Sequence, residues 1–193
     1  VTILSDRVIE FGALRPGPPE FQLAGDAERV ALTCAALGVD ARELDLPVPL
    51  DRRAYAEAIA LLESRGIVED GRLTRYGAEV EELPVEREWA ELLLSADDDL
   101  VAPVAVCSAV DSLHRMTRQE RNLRGVLLAG SDHLTVYNIY AEAVNQHGHV
   151  DEVFGVPRHV FRASIEEWAG RRGVLVKAVE DAALGLASVC RAL

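Results

Sequence analysis

The chain has 193 residues, 49% of them hydrophobic, enough to bury a core as one domain or two small ones. No apolar run reaches the roughly eighteen residues of a membrane-spanning helix and no signal-peptide pattern is present, which argues against a membrane role and for a soluble, cytoplasmic protein. A formal net charge of −12 and a pI near 4.8 set the overall field against phosphates, so a module that binds nucleic acid through one broad basic face is not expected.

The first stretch carries Val8-Ile9-Glu10-Phe11 and then Arg15-Pro16-Gly17-Pro18-Pro19, a proline cluster that predicts a rigid, extended connector. From Asp26 onward, Val30, Leu32, Cys34 and Leu37 predict a helix that stops at Gly38, a natural C-cap. Pro47 and Pro49 make Leu44 to Pro49 a loop. Asp51 then caps a second helix with Tyr55, Ala58, Ile59 and Leu62 on one face and Gly66 at its end. Arg52, Arg53 and Arg65 stand at the ends of that helix, but Glu57 and Glu63 lie between them and no Asn or Gln is present for adenine edges. Major-groove reading is therefore weakly supported.

The next residues are Ile67-Val68-Glu69-Asp70-Gly71-Arg72-Leu73-Thr74-Arg75-Tyr76-Gly77. Asp70-Gly71 lies between two short apolar-bearing strands and supplies the positive φ angles of a two-residue type I′ hairpin. Thr74 is placed to cap the following helix, and Gly77 removes a side chain where helix and hairpin approach closely. A helix followed by such a hairpin is the ending of a winged helix. Ala78-Glu79-Val80-Glu81-Glu82-Leu83-Pro84 follows at once.

Trp89, Leu92, Leu93 and Leu94 predict one further helix, and Val101, Val104, Ala105, Cys107, Ser108 and Val110 predict another, central to the core. Arg115, Arg118, Arg121 and Arg124 recur at every third position, with Asn122 among them, and on a helix they form one slowly drifting stripe. Two readings stay open for it: phosphate contact, or a solvated face that pairs with Glu120 and nearby acids. Ser131 caps a helix, and Asp132 in its first turn favours the helix dipole. Leu134, Tyr137, Ala141 and Val144 recur along it at core spacing, with His133, Asn138 and Glu142 on the other side. After Gly155-Val156-Pro157, a helix bearing Val160, Phe161, Ile165 and Trp168 leads to Gly170 and Gly173, and a last helix runs from Val174 to Leu193. Everything after the first hairpin is thus expected to be helical.

Cys34, Cys107 and Cys190 are odd in number and widely spaced, which fits buried reduced thiols better than a disulfide framework or paired zinc ligands. His147-Gly148-His149 has no accompanying ligand set at recognised spacing, so no metal site is expected. The chain lacks a Gly-x-x-x-x-Gly-Lys-Ser/Thr loop and an Asp-Glu-Ala-His box, and no nucleophile and base can be paired by spacing. No catalytic residue is expected. It begins at Val1 with Met116 as its only methionine, and reads as a segment of something longer.

The succession Asp70-Gly71-Arg72-Leu73-Thr74, two residues, Gly77, then Glu82-Leu83-Pro84 leading into an apolar helix resembles the helicase-associated region of DEAH/RHA-type RNA helicases. Ser131-Asp132-His133-Leu134-Thr135-Val136-Tyr137-Asn138-Ile139-Tyr140 is similar to the family's second signature and falls in the expected order. Family members usually carry proline where Arg75 stands, a departure that bears on rigidity more than on fold. The resemblance implies a mainly α protein: a connector from a preceding motor domain over 1–22, a winged helix over 23–84, and an all-helical ratchet-like bundle over 85–193. It implies single-stranded RNA as a partner, with Arg115, Arg118, Arg121, Arg124, His133 and Asn138 as candidate contacts. Asp132, His133 and Asn138 have a second reading, in which they hold the adjacent helix through hydrogen bonds. ATP and Mg²⁺ would belong to two upstream RecA-like motor domains, with no cofactor in this chain, and a protein activator is a further partner left open. The alternatives are a winged-helix transcriptional regulator and a motor-free protein-binding scaffold.

Overall fold

The computed structural model describes residues 27–46, 49–114 and 122–193. The expected connector over 1–22, Pro47, and Arg115, Arg118 and Arg121 lie outside the described residues. The chain divides into two compact units, Val1–Ala78 and Glu79–Leu193. It is mainly helical with a small antiparallel hairpin, as the sequence predicts.

The first unit contains helix α1 (Ala27–Leu37), a 3-10 turn (Ala41–Glu43), helix α2 (Arg52–Ser64) and a hairpin of β1 (Val68–Glu69) and β2 (Arg72–Leu73). Helix α3 (Arg75–Glu82) follows. Gly38 takes a φ of +67°, and the N–H of Val39 reaches back 2.9 Å to the Cys34 carbonyl, closing α1 with a left-handed cap. Asp51 accepts from the N–H groups of Arg53 and Ala54 at 3.0 and 3.1 Å, satisfying two of the orphan donors that open α2. Tyr55, Ala58 and Leu62 form the buried face of that helix, and the Tyr55 hydroxyl accepts from the N–H of Ala41 at 3.3 Å. Burial pushes the Tyr55 hydroxyl pKa above its ordinary value.

Asp70 and Gly71 have φ angles of +48° and +72°, both positive as a type I′ turn requires, with Val68 opposite Leu73 and Glu69 opposite Arg72. Thr74 then ties the hairpin to α3: its hydroxyl donates to the Gly66 carbonyl at 2.7 Å and accepts from the N–H of Gly77 at 2.9 Å. Its own N–H donates to the Ile67 carbonyl at 3.0 Å. A Cβ at Gly77 would lie 2.0 Å from that same carbonyl oxygen, so the close approach expected there is real.

The second unit comprises α4 (Arg87–Ser95), α5 (Asp98–Ala109), α6 (Asp132–His147), β3 (Gly148–Val153), β4 (Val156–Phe161), α7 (Ile165–Arg172) and α8 (Val176–Ala192). Its core gathers Val106, Leu113, Ile139, Tyr140, Trp168 and Val179 among other buried side chains. Gly185 of α8 faces Ala109 of α5, where an added Cβ would come within 2.3 Å of the alanine Cβ. Arg87 and Glu91 pair one turn apart on α4, with Glu91 buried and Arg87 largely so. Among the described residues no helix is long and apolar enough to cross a membrane.

Four expectations are corrected here. The second unit is not all helical: Gly148–Val153 pairs with Val156–Phe161 as a six-residue antiparallel hairpin, so Val160 and Phe161 are strand residues and the helix starts only at Ile165. The density of Val150, Val153, Val156, Val160 and Phe161 favours strand, and the Gly155-Val156-Pro157 stretch is the turn and return strand of that hairpin. Gly170 lies within α7, and it is Gly173, at φ +69°, that ends the helix. The buried face of α6 is Thr135, Ile139, Tyr140 and Ala143, while Leu134 is exposed. Thr135 can sit in the core because its hydroxyl is satisfied internally, which a count of apolar residues does not register. Cys34 and Cys107 are buried, with burial raising both thiol pKa values, but Cys190 is exposed near the C-terminus of α8.

Candidate nucleic-acid interface

The residues singled out by the second signature meet at the start and middle of α6. The Ser131 hydroxyl accepts from the N–H of Leu134 at 3.1 Å and so caps the helix. Thr135 Oγ1 accepts from the N–H of Leu128 at 3.0 Å and donates to the Ser131 carbonyl at 2.9 Å. One turn further on, Asn138 Nδ2 donates to the Val126 carbonyl at 3.0 Å. These bonds fasten the irregular segment from Asn122 to Gly130 onto the helix, so Asn138 spends its amide on holding chain.

The other end of that segment is held from α7. Arg172 donates from Nη1 to the carbonyls of Asn122 and Arg124 at 2.9 and 2.8 Å, and from Nε to Glu142 Oε1 at 2.9 Å, while its Nη2 bonds Glu142 Oε2. Trp168 Nε1 donates to the same Glu142 Oε1 at 2.7 Å. Burial alone would raise the Glu142 pKa, but the bonds from Arg172 and Trp168 and the guanidinium charge outweigh it and hold the carboxyl below its ordinary value. Glu142 is thus a charged anchor facing both α7 and the 122–130 segment.

Beside this anchor lies a cleft of about 270 Å³ lined by Asn122, Arg124, Glu142, Gln146, Trp168, Arg171 and Arg172. Arg124 is exposed and sits in a turn, which corrects the expectation that it continues a helical stripe. It makes no ion pair with any described residue, and among the described residues Arg171 pairs with Glu167 through an exposed contact at 3.3 Å. The cleft therefore offers two accessible guanidinium groups and the Gln146 amide, a donor set suited to phosphate oxygens.

His133 is not part of it. Five residues before Asn138 on α6, it points away by well over a right angle, and its ring meets the edge of Trp89 on α4 at a centroid distance of 5.6 Å. Its carbonyl accepts from the Cys107 thiol at 3.2 Å. Asp132 occupies the first turn of α6. The structure thus brings Arg124 and Asn138 to one segment and leaves His133 against α4 and α5. Arg172 and Trp168, thirty and twenty-six residues from Glu142, gave no local signal in the sequence that they meet it.

The first unit has its own cleft, about 630 Å³, between the end of α1, the 3-10 turn, α2 and the hairpin tip. Asp40, Arg42, Tyr55, Glu63, Asp70 and Arg72 contribute to its lining. Hydrogen bonds from Arg42 hold the Asp40 carboxyl down to about 2, with Arg42 Nη2 at 2.5 Å. Acids outnumber bases around it, which suits phosphate poorly. Among the described residues no group of His, Cys, Asp and Glu is arranged to hold a metal ion. No model of a known protein family matches the chain, and neither does any curated protein.

Proposed function

We propose that the chain is the helicase-associated region of a DEAH/RHA-type, ATP-dependent RNA helicase, which couples motor-domain movement to translocation of single-stranded RNA in the cytoplasm. The observation that carries this is the job done by the two motif segments. Thr74 and Gly77 lock the hairpin to α3, and Ser131, Thr135 and Asn138 lock the 126–131 segment to α6. In both places the residues that carry the resemblance are the ones that stiffen a joint between elements. A region that passes movement from a motor to a strand needs such joints to be stiff.

Arg124, Arg171 and Gln146 supply a local site for phosphate on a molecule whose overall charge is −12. ATP and Mg²⁺ would act in RecA-like motor domains, and the acidic remainder of the surface is available to those domains or to a protein activator. A base-reading regulator draws less support, because Arg53 on α2 is engaged by Glu57 at 2.8 Å. The test is the coding sequence upstream of Val1. A phosphate-binding loop and an Asp-Glu-x-His box are expected there, and a start codon beside Val1 would overturn the proposal in favour of a motor-free protein.

A further inference from the structure

The two hairpins among the described residues use the same turn in opposite ways. The first places Asp70-Gly71 at the two positive-φ positions, a pair that adopts them readily. The second places Phe154-Gly155 there, with φ angles of +54° and +76°. A bulky aromatic residue in the left-handed region is a backbone outlier, and such strain persists where something other than local preference maintains it. Nothing within the described residues repays it by packing, because Phe154 is 101% exposed. Val150 on the same hairpin is 66% exposed as well.

The surroundings indicate what kind of surface would receive this side chain. Asp151 and Glu152 are exposed on β3 close to the tip, Arg158 faces Asp151 from β4 and is half-buried, and His149 lies at the hairpin base. The accessible charge beside Phe154 is therefore acidic, on a chain of net charge −12, which repels a phosphate backbone and attracts lysine or arginine. We propose that the β3–β4 tip is a plug for a protein partner: Phe154 enters an apolar pocket whose rim carries basic side chains that meet Asp151 and Glu152. An aromatic anchor in a desolvated pocket with complementary charge at the rim is the usual form of an interface hot spot. The plug is independent of whether the chain belongs to a helicase.

The test places the photoreactive analogue p-benzoyl-phenylalanine at position 154 of the full chain, in cells of the source organism, with the same probe at exposed Leu184 as control. The expected product is a discrete adduct, resistant to nuclease and absent from the control, whose cross-linked peptide carries Lys or Arg near the modified apolar residue. That protein, identified and purified, should bind Phe154→Asn at least tenfold more weakly than the unaltered chain, and more weakly at high salt. Nuclease-sensitive adducts, no adduct beyond the control, or equal binding to Phe154→Asn would overturn the proposal. Asn tolerates the left-handed region, so Phe154→Asn should fold and melt no lower than the unaltered chain. A lower melting temperature would show that Phe154 is held within the chain, and would equally overturn it.

Discussion

Gly77→Ala would drive a Cβ into the Ile67 carbonyl oxygen, and that oxygen cannot retreat without breaking its bond to the Thr74 N–H. The expected cost is about 1–3 kcal/mol, read as a lower urea midpoint. An unchanged midpoint would mean that hairpin and helix part easily. Arg172→Ala removes a group that holds two carbonyls and one carboxylate, and leaves Glu142 with the Trp168 hydrogen bond and the His147 charge among the described residues. Because both side chains of the pair keep some exposure, 13% and 19%, a loss of about 2–3 kcal/mol is expected, below that of a fully buried pair. Hydrogen exchange should also quicken at Val126 and Leu127, whose N–H groups bond the Leu123 carbonyl in the turn that Arg172 holds. Protection left intact there would show that Thr135 and Asn138 suffice. The Gly77 contact was legible in the sequence because glycine at a helix start beside a hairpin has few other reasons to be there. The Glu142–Arg172 contact was not, since it joins residues far apart whose types are ordinary on helix surfaces.

Among the elements, α6 and β4 are joined by a 2.7 Å contact between the Tyr140 hydroxyl and His159 Nδ1. Burial lowers the His159 pKa below its ordinary 6.5, so the folded state prefers the neutral ring, whose Nδ1 can accept from the phenol. A depressed folded value gives stability that is complete above about pH 6.5 and is lost as pH falls through the folded pKa. Glu142 is likewise depressed, and its contribution, complete above about pH 4.5, is lost as its carboxylate protonates below that. Urea midpoints measured against pH should therefore fall in two stages. His159→Asn, which keeps an acceptor near the Nδ1 position, should remove the upper one; a profile identical to the unaltered chain would assign that stage elsewhere. The caps at Gly38, Asp51 and Ser131 were readable, and so was the first hairpin from Asp70-Gly71, but apolar spacing misassigned Val160 and Phe161 to a helix and missed the buried face of α6. The second hairpin was hidden because Phe154 is a poor residue for its turn, so the most informative irregularity in the fold was also the least visible in the sequence.

For the whole molecule, the net charge of −12 sets the overall field against phosphates, and the cleft around Arg124 is local relief from it. By itself the full chain should bind single-stranded oligo(U) weakly, with a Kd no tighter than about 10⁻⁴ M at physiological salt. Fluorescence anisotropy would measure this, and a Kd near 10⁻⁶ M would mean that the acidic field is overcome without any motor domain. Composition alone makes that much legible, whereas the grouping of Arg124 with Arg171 and Gln146 requires the fold.

The β3–β4 hairpin leaves α6 without a linker: Gly148 caps the helix and is the first strand residue, and Arg162, just past the other strand, donates its N–H to the His147 carbonyl at 2.9 Å. Both roots of the hairpin are thus fixed at one helix end, and β4 lies along α8. Six residues at about 3.3 Å each make a lever of roughly 20 Å. A push at its tip cannot dissipate in a slack joint, and is delivered as torque to the end of α6 and along the flank of α8.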